Sequence, residues 1–306
     1  MDFRATLCQL KPRLGLVDAN PEAHHGWLDR ALAEGDAPGG RQLVVFPELS
    51  LCGYFLRDLV PEVAMELDDP RVRDLVARSK DASVVFGMVE QSRDHRQFNS
   101  MVFAEGGEIL HVHRKVHLPD YGIFEEGRYF AAGDRFDLVE SRLGRFGVLT
   151  CEDAWHLAAG WLHFVAGADV LLLPSASPAR GIDTDGEELS SSGAWRTLGS
   201  ALALFLQSWV LYCNRVGIED GAMFWGGSRV VGPFGYPLAE AGDEEQLLGH
   251  AVDGETLRRA RVQSPLRRDA RPELVRLQLA RLLQDPDALA AARGGAASDP
   301  ADGTGR

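Results

Sequence analysis

Short apolar, β-branched runs alternate with longer segments of helical spacing along most of the chain, and this alternation restricts the fold more than any single residue does. Runs at residues 5–9, 42–46, 83–89, 100–104, 146–150, 169–173, 210–213 and 229–232 read as strands. Between several of them, residues 22–34, 70–80, 156–166 and 193–207 carry apolar side chains at helical intervals. An α/β layered domain is therefore expected rather than an all-α or all-β one. One junction departs from the alternation. Residues 99–104 and 109–113 are separated only by Glu105-Gly106-Gly107-Glu108, which predicts a hairpin and hence a mixed sheet.

The 306 residues suffice for one large α/β domain or two small ones, and a hydrophobic content of 45% with 25% charged residues is ordinary for a globular protein. The net formal charge is −13, and no Lys/Arg block interrupts it, which argues against a nucleic-acid or anionic membrane partner. No apolar stretch approaches the roughly 18–20 residues of a membrane span. Met1-Asp2-Phe3-Arg4 lacks the pattern of a signal peptide, so a cytoplasmic location is expected. The leucine spacing in residues 271–284 predicts a last amphipathic helix. Residues 1–285 are thus expected to be structured, and the Ala-, Gly- and Asp-rich residues 286–306 to form a disordered tail.

Chemistry is suggested at the ends of three strands. Val44-Val45-Phe46-Pro47 runs into Glu48, His111-Val112-His113-Arg114 into Lys115, and the run 146–150 into Cys151. A thiol attacks as its thiolate, and with a reference pKa near ~8.5 it needs a neighbouring base or cation. Glu48 and Lys115 are of the types that supply both. The other cysteines, Cys8, Cys52 and Cys213, lie in apolar surroundings and read as packing residues. No CxxC pair or Cys/His cluster exists, so neither a metal site nor a disulfide framework is expected. His113 and His117 flank Lys115 without ligand spacing and read as structural or solvent-facing. Gly226-Gly227 before Ser228 reads as a tight turn rather than a phosphate loop. The Ser-, Gly- and Asp-rich residues 175–193 form either a loop bordering the site or a plain surface loop.

FPELSLCGY around Glu48, HRKVHLP around Lys115 and GVLTCEDAWH around Cys151 resemble the three signatures of the nitrilase superfamily, in the same order and at spacings of 67 and 36 residues. LPDYGIFEEGRYF, CEDAW, GADVLLLPSASP and LYCNRVGIEDGAMFWGGSRVVGPFG are similar to one branch, the glutamine amidase domain of glutamine-dependent NAD synthetases. The resemblance covers residues 3–265. It implies a nitrilase-like four-layer picture in which each subunit is an αββα sandwich with mixed sheets and subunits pair through helices, giving a homo-oligomer of two or more chains. It implies no cofactor.

The activity implied is cysteine-dependent cleavage of a small primary amide through a thioester, with release of ammonia. Cys151 would be the nucleophile and Glu48 the proton shuttle, with a pKa above the reference of ~4.3. Lys115 and the backbone N–H of Glu152 would stabilise the oxyanion. Glu126, in preference to Glu125, matches the family's additional carboxylate, which orients the lysine. Glu152, Tyr121 and Ser177 occupy positions associated with glutamine recognition, and Arg180 is a further candidate for a substrate carboxylate. After Pro178 the sequence Arg180-Gly181-Ile182-Asp183-Thr184-Asp185 departs from that branch, which leaves the choice of amide open among glutamine, ω-amides and N-carbamoyl compounds. No SGGxDS loop is found, so NAD synthesis by this chain alone is not expected. It would either supply ammonia to a separate synthetase or act as a free-standing amidase, and a catalytically silent docking subunit is the alternative of another class.

Overall fold

The computed structural model describes residues 1–34, 37–181 and 190–285. Met1–Arg267 form one compact unit, and Arg268 begins a second. Chain order gives β1 (Asp2–Gln9), β2 (Gln42–Val45), β3 (Ser83–Gln91), β4 (Gln97–Glu105), β5 (Glu108–Arg114), β6 (Val139–Ser141), β7 (Gly144–Val148), β8 (Val170–Ser175) and β9 (Trp209–Asn214). A ribbon of β10 (Val216–Glu219) and β11 (Ala222–Trp225) precedes β12 (Arg229–Val231), β13 (Pro237–Glu240) and β14 (Gln246–Asp253). The first sheet has the order β14-β1-β2-β3-β4-β5 and the second β13-β12-β9-β8-β7-β6. In each sheet three central strands are parallel, β1-β2-β3 and β7-β8-β9, and the outer pairs are antiparallel. Both sheets are mixed, as the sequence implied. The β4–β5 hairpin turns at Gly106 and Gly107, whose φ angles of 67° and 86° lie in the left-handed region that glycine adopts without strain.

Strand periodicity distributes the core into layers. Phe3, Ala5 and Leu7 of β1 and Leu43 and Val45 of β2 meet Phe146, Val148, Val170, Leu172 and Leu211 between the two sheets. The alternate residues Cys8, Val44, Phe46, Val84 and Phe86 pack outward against Leu28 and Ala31 of α1 (Ala19–Ala33). The next helix is the single turn α2 (Val60–Val63), after which Val72, Leu75 and Val76 of α3 (Pro70–Arg78) join the same outer layer. Asp69 caps α3 by accepting from the Arg71 N–H at 2.9 Å, and Pro70 occupies its first turn, where no N–H is missed. After the short α4 (Glu126–Tyr129), the second sheet is covered by α5 (Leu157–Ala166) and α6 (Ser190–Leu206), and α7 (Gly254–Gln263) follows β14. The result is the αββα sandwich.

Every strand and helix read from the sequence exists within a few residues, but β6, β10, β11, β13 and β14 were not read there. β14 pairs antiparallel with β1 along its whole length, yet its residues are mostly half-buried at a sheet edge, so its apolar alternation is weak. The helix expected near the C-terminus forms as Pro272–Gln284, with Leu274, Leu277, Leu279, Leu282 and Leu283 exposed. Residues 182–189 of the 175–193 loop, and the tail 286–306, lie outside the described residues. Among the described residues no helix is long and apolar enough to cross a membrane.

Candidate active site

The three strand ends converge. Phe46-Pro47 carries the chain from β2 to Glu48, and Leu49 then turns it with φ of 48°. Lys115 follows β5 directly. Cys151 opens a 3₁₀ turn, Cys151–Trp155, three residues beyond β7, and its own φ of 45° is in the left-handed region, which a side-chain-bearing residue occupies at a cost. Glu126 opens α4 and is buried, while Glu125 is exposed.

Lys115 is buried and its Nζ donates to Glu48 Oε1 at 2.8 Å and to Glu126 Oε1 at 2.7 Å. Glu48 also accepts from Asn99 Nδ2 at 2.7 Å on Oε1 and from the Ala176 N–H at 2.8 Å on Oε2. Tyr54 donates its hydroxyl to Glu126 Oε1. Two carboxyl groups thus share one ammonium in a site with little water to screen them. Burial pushes Glu126 up to about 7; Lys115 opposes the rise and the nearby Glu48 adds to it. Burial alone would favour neutral Lys115, but the charges of Glu126 and Glu48 outweigh it and hold its pKa well above the usual range. Burial and the charge of Glu48 push the Cys151 thiol well above its ordinary value, against the pull of Lys115. Cys151 is consequently held as the thiol, and Lys115 does not maintain a standing thiolate beside it.

Cys151 lies in the wall of a cavity of about 390 Å³ that Tyr121, Glu152, Ser177, Arg180, Trp155 and Trp195 also line. Tyr121 donates its hydroxyl to Glu152 Oε2 at 2.9 Å. Ser177 Oγ accepts from Trp195 Nε1 at 2.8 Å, and the Ser177 N–H donates to Asn214 Oδ1 at 2.8 Å. The exposed Arg180 lays its guanidinium over Tyr121 and Phe124, 5.5 and 5.3 Å from the ring centroids. All four residues read from the sequence as substrate contacts therefore share one cavity with the thiol. A larger cavity of about 470 Å³ lies elsewhere, beside Glu90, Arg96, Arg114 and Arg135. It offers no thiol, and these three arginines are paired with Asp94, Glu90 and Asp134.

Residues 4–262 match the carbon-nitrogen hydrolase family. The chain belongs to the carbon-nitrogen hydrolases. The hydrolase is 32% identical over 234 residues to the glutamine-dependent NAD(+) synthetase of Thermotoga maritima, covering 75% of this chain and 38% of the relative. It is 28% identical over 258 residues to an omega-amidase of Xenopus tropicalis, covering 81% and 90%. Among solved structures, the amidase from Nesterenkonia sp. superimposes with a TM-score of 0.73 at 27% identity, covering 90% of this chain and 95% of that one. The glutamine-dependent NAD+ synthetase from Acinetobacter baumannii gives 0.72 at 29%, covering 84% and 47%. The hydrolase spans about two fifths of the length of the NAD synthetase relatives it matches.

Sequence reading missed several residues that pack around Glu48, Lys115 and Cys151. Tyr54 lies inside the FPELSLCGY segment and Asp153 inside CEDAW, so each sat in a recognised motif without being singled out. Asn99 interrupts the apolar pattern of β4, and that interruption was the available signal: its side chain reaches Glu48 rather than the core. Trp195, in the wall beside Ser177, had no local signal.

Proposed function

We propose that the protein is a cysteine-dependent amidase that cleaves a small primary amide and releases ammonia, with glutamine as the leading substrate. The observation that carries this reading is the buried Lys115 ammonium held between Glu48 and Glu126 beside a cavity lined by Cys151. In the reaction Glu48 takes the thiol proton as Cys151 Sγ bonds to the carbonyl carbon. The oxygen, now carrying the charge, faces Lys115 and the backbone N–H of Glu152. N–H groups in the first turn of a helix have no partner within it and are free for this purpose. Collapse breaks the C–N bond, and Glu48 returns the proton to the leaving ammonia. Glu48 next removes a proton from water, which attacks the thioester; the C–S bond breaks, Glu48 returns that proton to Cys151 Sγ, and the free acid departs. Glu126 holds Lys115 in place throughout.

Substrate choice is read from the cavity. Glu152, oriented by Tyr121, is suited to an ammonium, Arg180 to a carboxylate, and Ser177 to a polar contact between them. An α-amino acid amide presents both charges, which favours glutamine. An ω-amide of a keto acid presents the carboxylate alone, and the likeness to an omega-amidase supports it as the second reading.

The test is ammonia release from glutamine and a panel of ω-amides, with Cys151→Ala in parallel. Loss of at least about 10³-fold in the variant is expected, since the nucleophile is removed. Release that survives the substitution would sink the reading. An NAD synthetase-like relative also motivates mixing the protein with an ammonia-dependent synthetase, where coupled turnover would identify a partner.

A further inference from the structure

We propose that Asp153 is a positioning residue that locks the strand end carrying Lys115 to the turn carrying Cys151, and that His113 and His117 hold its carboxylate in place. The inference rests on the amidase reading for its kinetic effect, but not for its geometry. Asp153 is fully buried, two residues beyond the nucleophile. Its Oδ1 accepts from the backbone N–H groups of Val116 at 3.2 Å and His117 at 2.8 Å, the two residues after Lys115. Its Oδ2 accepts from the Thr150 N–H at 3.2 Å, the residue before Cys151. One carboxylate thus spans the junction between the two chain segments that must hold cation and thiol in register.

The two histidines complete the set. His113, buried on β5, meets Oδ2 through Nε2 at 2.9 Å, and His117 meets Oδ1 through Nδ1 at 3.0 Å. Burial would push this carboxyl up, but the histidine hydrogen bonds outweigh it and hold it well below the usual carboxylate range. The acceptor therefore stays ionised, and each backbone N–H faces an oxygen with no proton of its own. The His117 ring is itself held flat on His156 at 3.5 Å between centroids, and stacked with Phe136 at 5.9 Å. An Asp153→Asn side chain must turn its NH₂ group toward backbone donors whichever way it is placed. The strand end and the turn then separate, and a misplacement of about 1 Å between reacting groups can cost on the order of 10²-fold in rate.

The experiment compares wild type, Asp153→Asn and His117→Phe, the last keeping the stacked ring while removing its contact with the carboxylate. For each, melting temperature, kcat and KM for the best amide, and the rate of alkylation by iodoacetamide are measured, with Cys151→Ala as the alkylation blank. Cys8, Cys52 and Cys213 are buried, so alkylation reports Cys151. The expected result is a folded Asp153→Asn whose kcat falls at least about 10-fold with KM within about twofold, and whose alkylation rate changes by a similar factor. His117→Phe should show the same pattern at a few-fold. A folded Asp153→Asn with wild-type kcat and alkylation, or with its whole loss in KM, overturns the proposal. If Asp153→Asn does not fold, His117→Phe decides: an altered alkylation rate supports the lock, and an unaltered one overturns it. Should wild type release ammonia from no amide, the amidase reading fails while the alkylation comparison still judges the lock.

Discussion

At the residue scale the site turns on one ammonium shared by two carboxyl groups, and at Glu126, which burial pushes up, the Tyr54 hydroxyl joins Lys115 in opposing the rise. A hydrogen bond donated to a carboxylate favours its charged form. Glu126 titrates near 7, so protonation as the pH falls through that value removes one of the two anions that orient Lys115, and ammonia release should decline on that limb. Tyr54→Phe deletes the donor and leaves Glu126 harder to ionise. The acid limb of the pH–rate profile should move to higher pH, with a loss of about 3- to 10-fold at pH 7 and recovery toward wild type in alkali. A parallel drop at every pH would contradict the assignment. That Glu48, Lys115 and Cys151 come together was legible in the sequence because each closely follows a strand inside a motif of known order. Tyr54 and Asn99 were not, because their partners lie 72 and 51 residues away and no local pattern encodes such a meeting.

Elements hold these residues through close approaches that a sequence does not display. A Cβ at Gly87 of β3 would lie 2.9 Å from the Pro47 carbonyl and closer still to the Leu49 nitrogen, both backbone atoms of the Glu48 turn. Gly87→Ala should therefore shift that turn, cutting ammonia release by more than about 10-fold and destabilising the fold by about 1–3 kcal/mol. Equal kcat and melting temperature in the variant would show that the turn tolerates the methyl group. The outer helices carry a second device. His24 on α1 bonds to Ser50 Oγ at 2.9 Å, and His163 on α5 meets the Val148 carbonyl at 3.2 Å; burial lowers both to about 4. The unfolded chain takes up these protons near pH 6.5 and the folded one does not. Their contribution to stability is complete above pH 6.5 and falls as the pH drops toward 4, by up to about 1.4 kcal/mol per unit for each histidine, partly offset by Glu126, whose raised value acts in the opposite sense. Melting temperatures across that window should decline, and His24→Leu should flatten the slope. Buried strands and capped helices were readable from periodicity, whereas the edge strand β14 was not, since half its surface faces water and its pairing with β1 spans the chain.

At the scale of the whole molecule, α5 and α6 leave Leu157, Leu162, Leu204 and Phe205 exposed on the outside of the second sheet's helical layer. A helix-mediated homo-oligomer, which the family resemblance implies, would bury an apolar face of this kind. Sedimentation should report a dimer or larger species, and Leu204→Glu with Phe205→Glu should yield monomers; monomeric wild type at micromolar concentration would dismiss the surface. The division into two sheets was not written in the strand pattern, because either face of a doubly buried strand reads alike. It came only with the family resemblance. That division also decides how the centre responds to stress. Glu48 follows a strand of one sheet, and the Ala176 N–H it engages follows a strand of the other. The proposed catalytic centre is therefore a vernier laid across the seam of the sandwich: sliding one leaf over the other by an ångström should silence it while every helix and strand stayed intact.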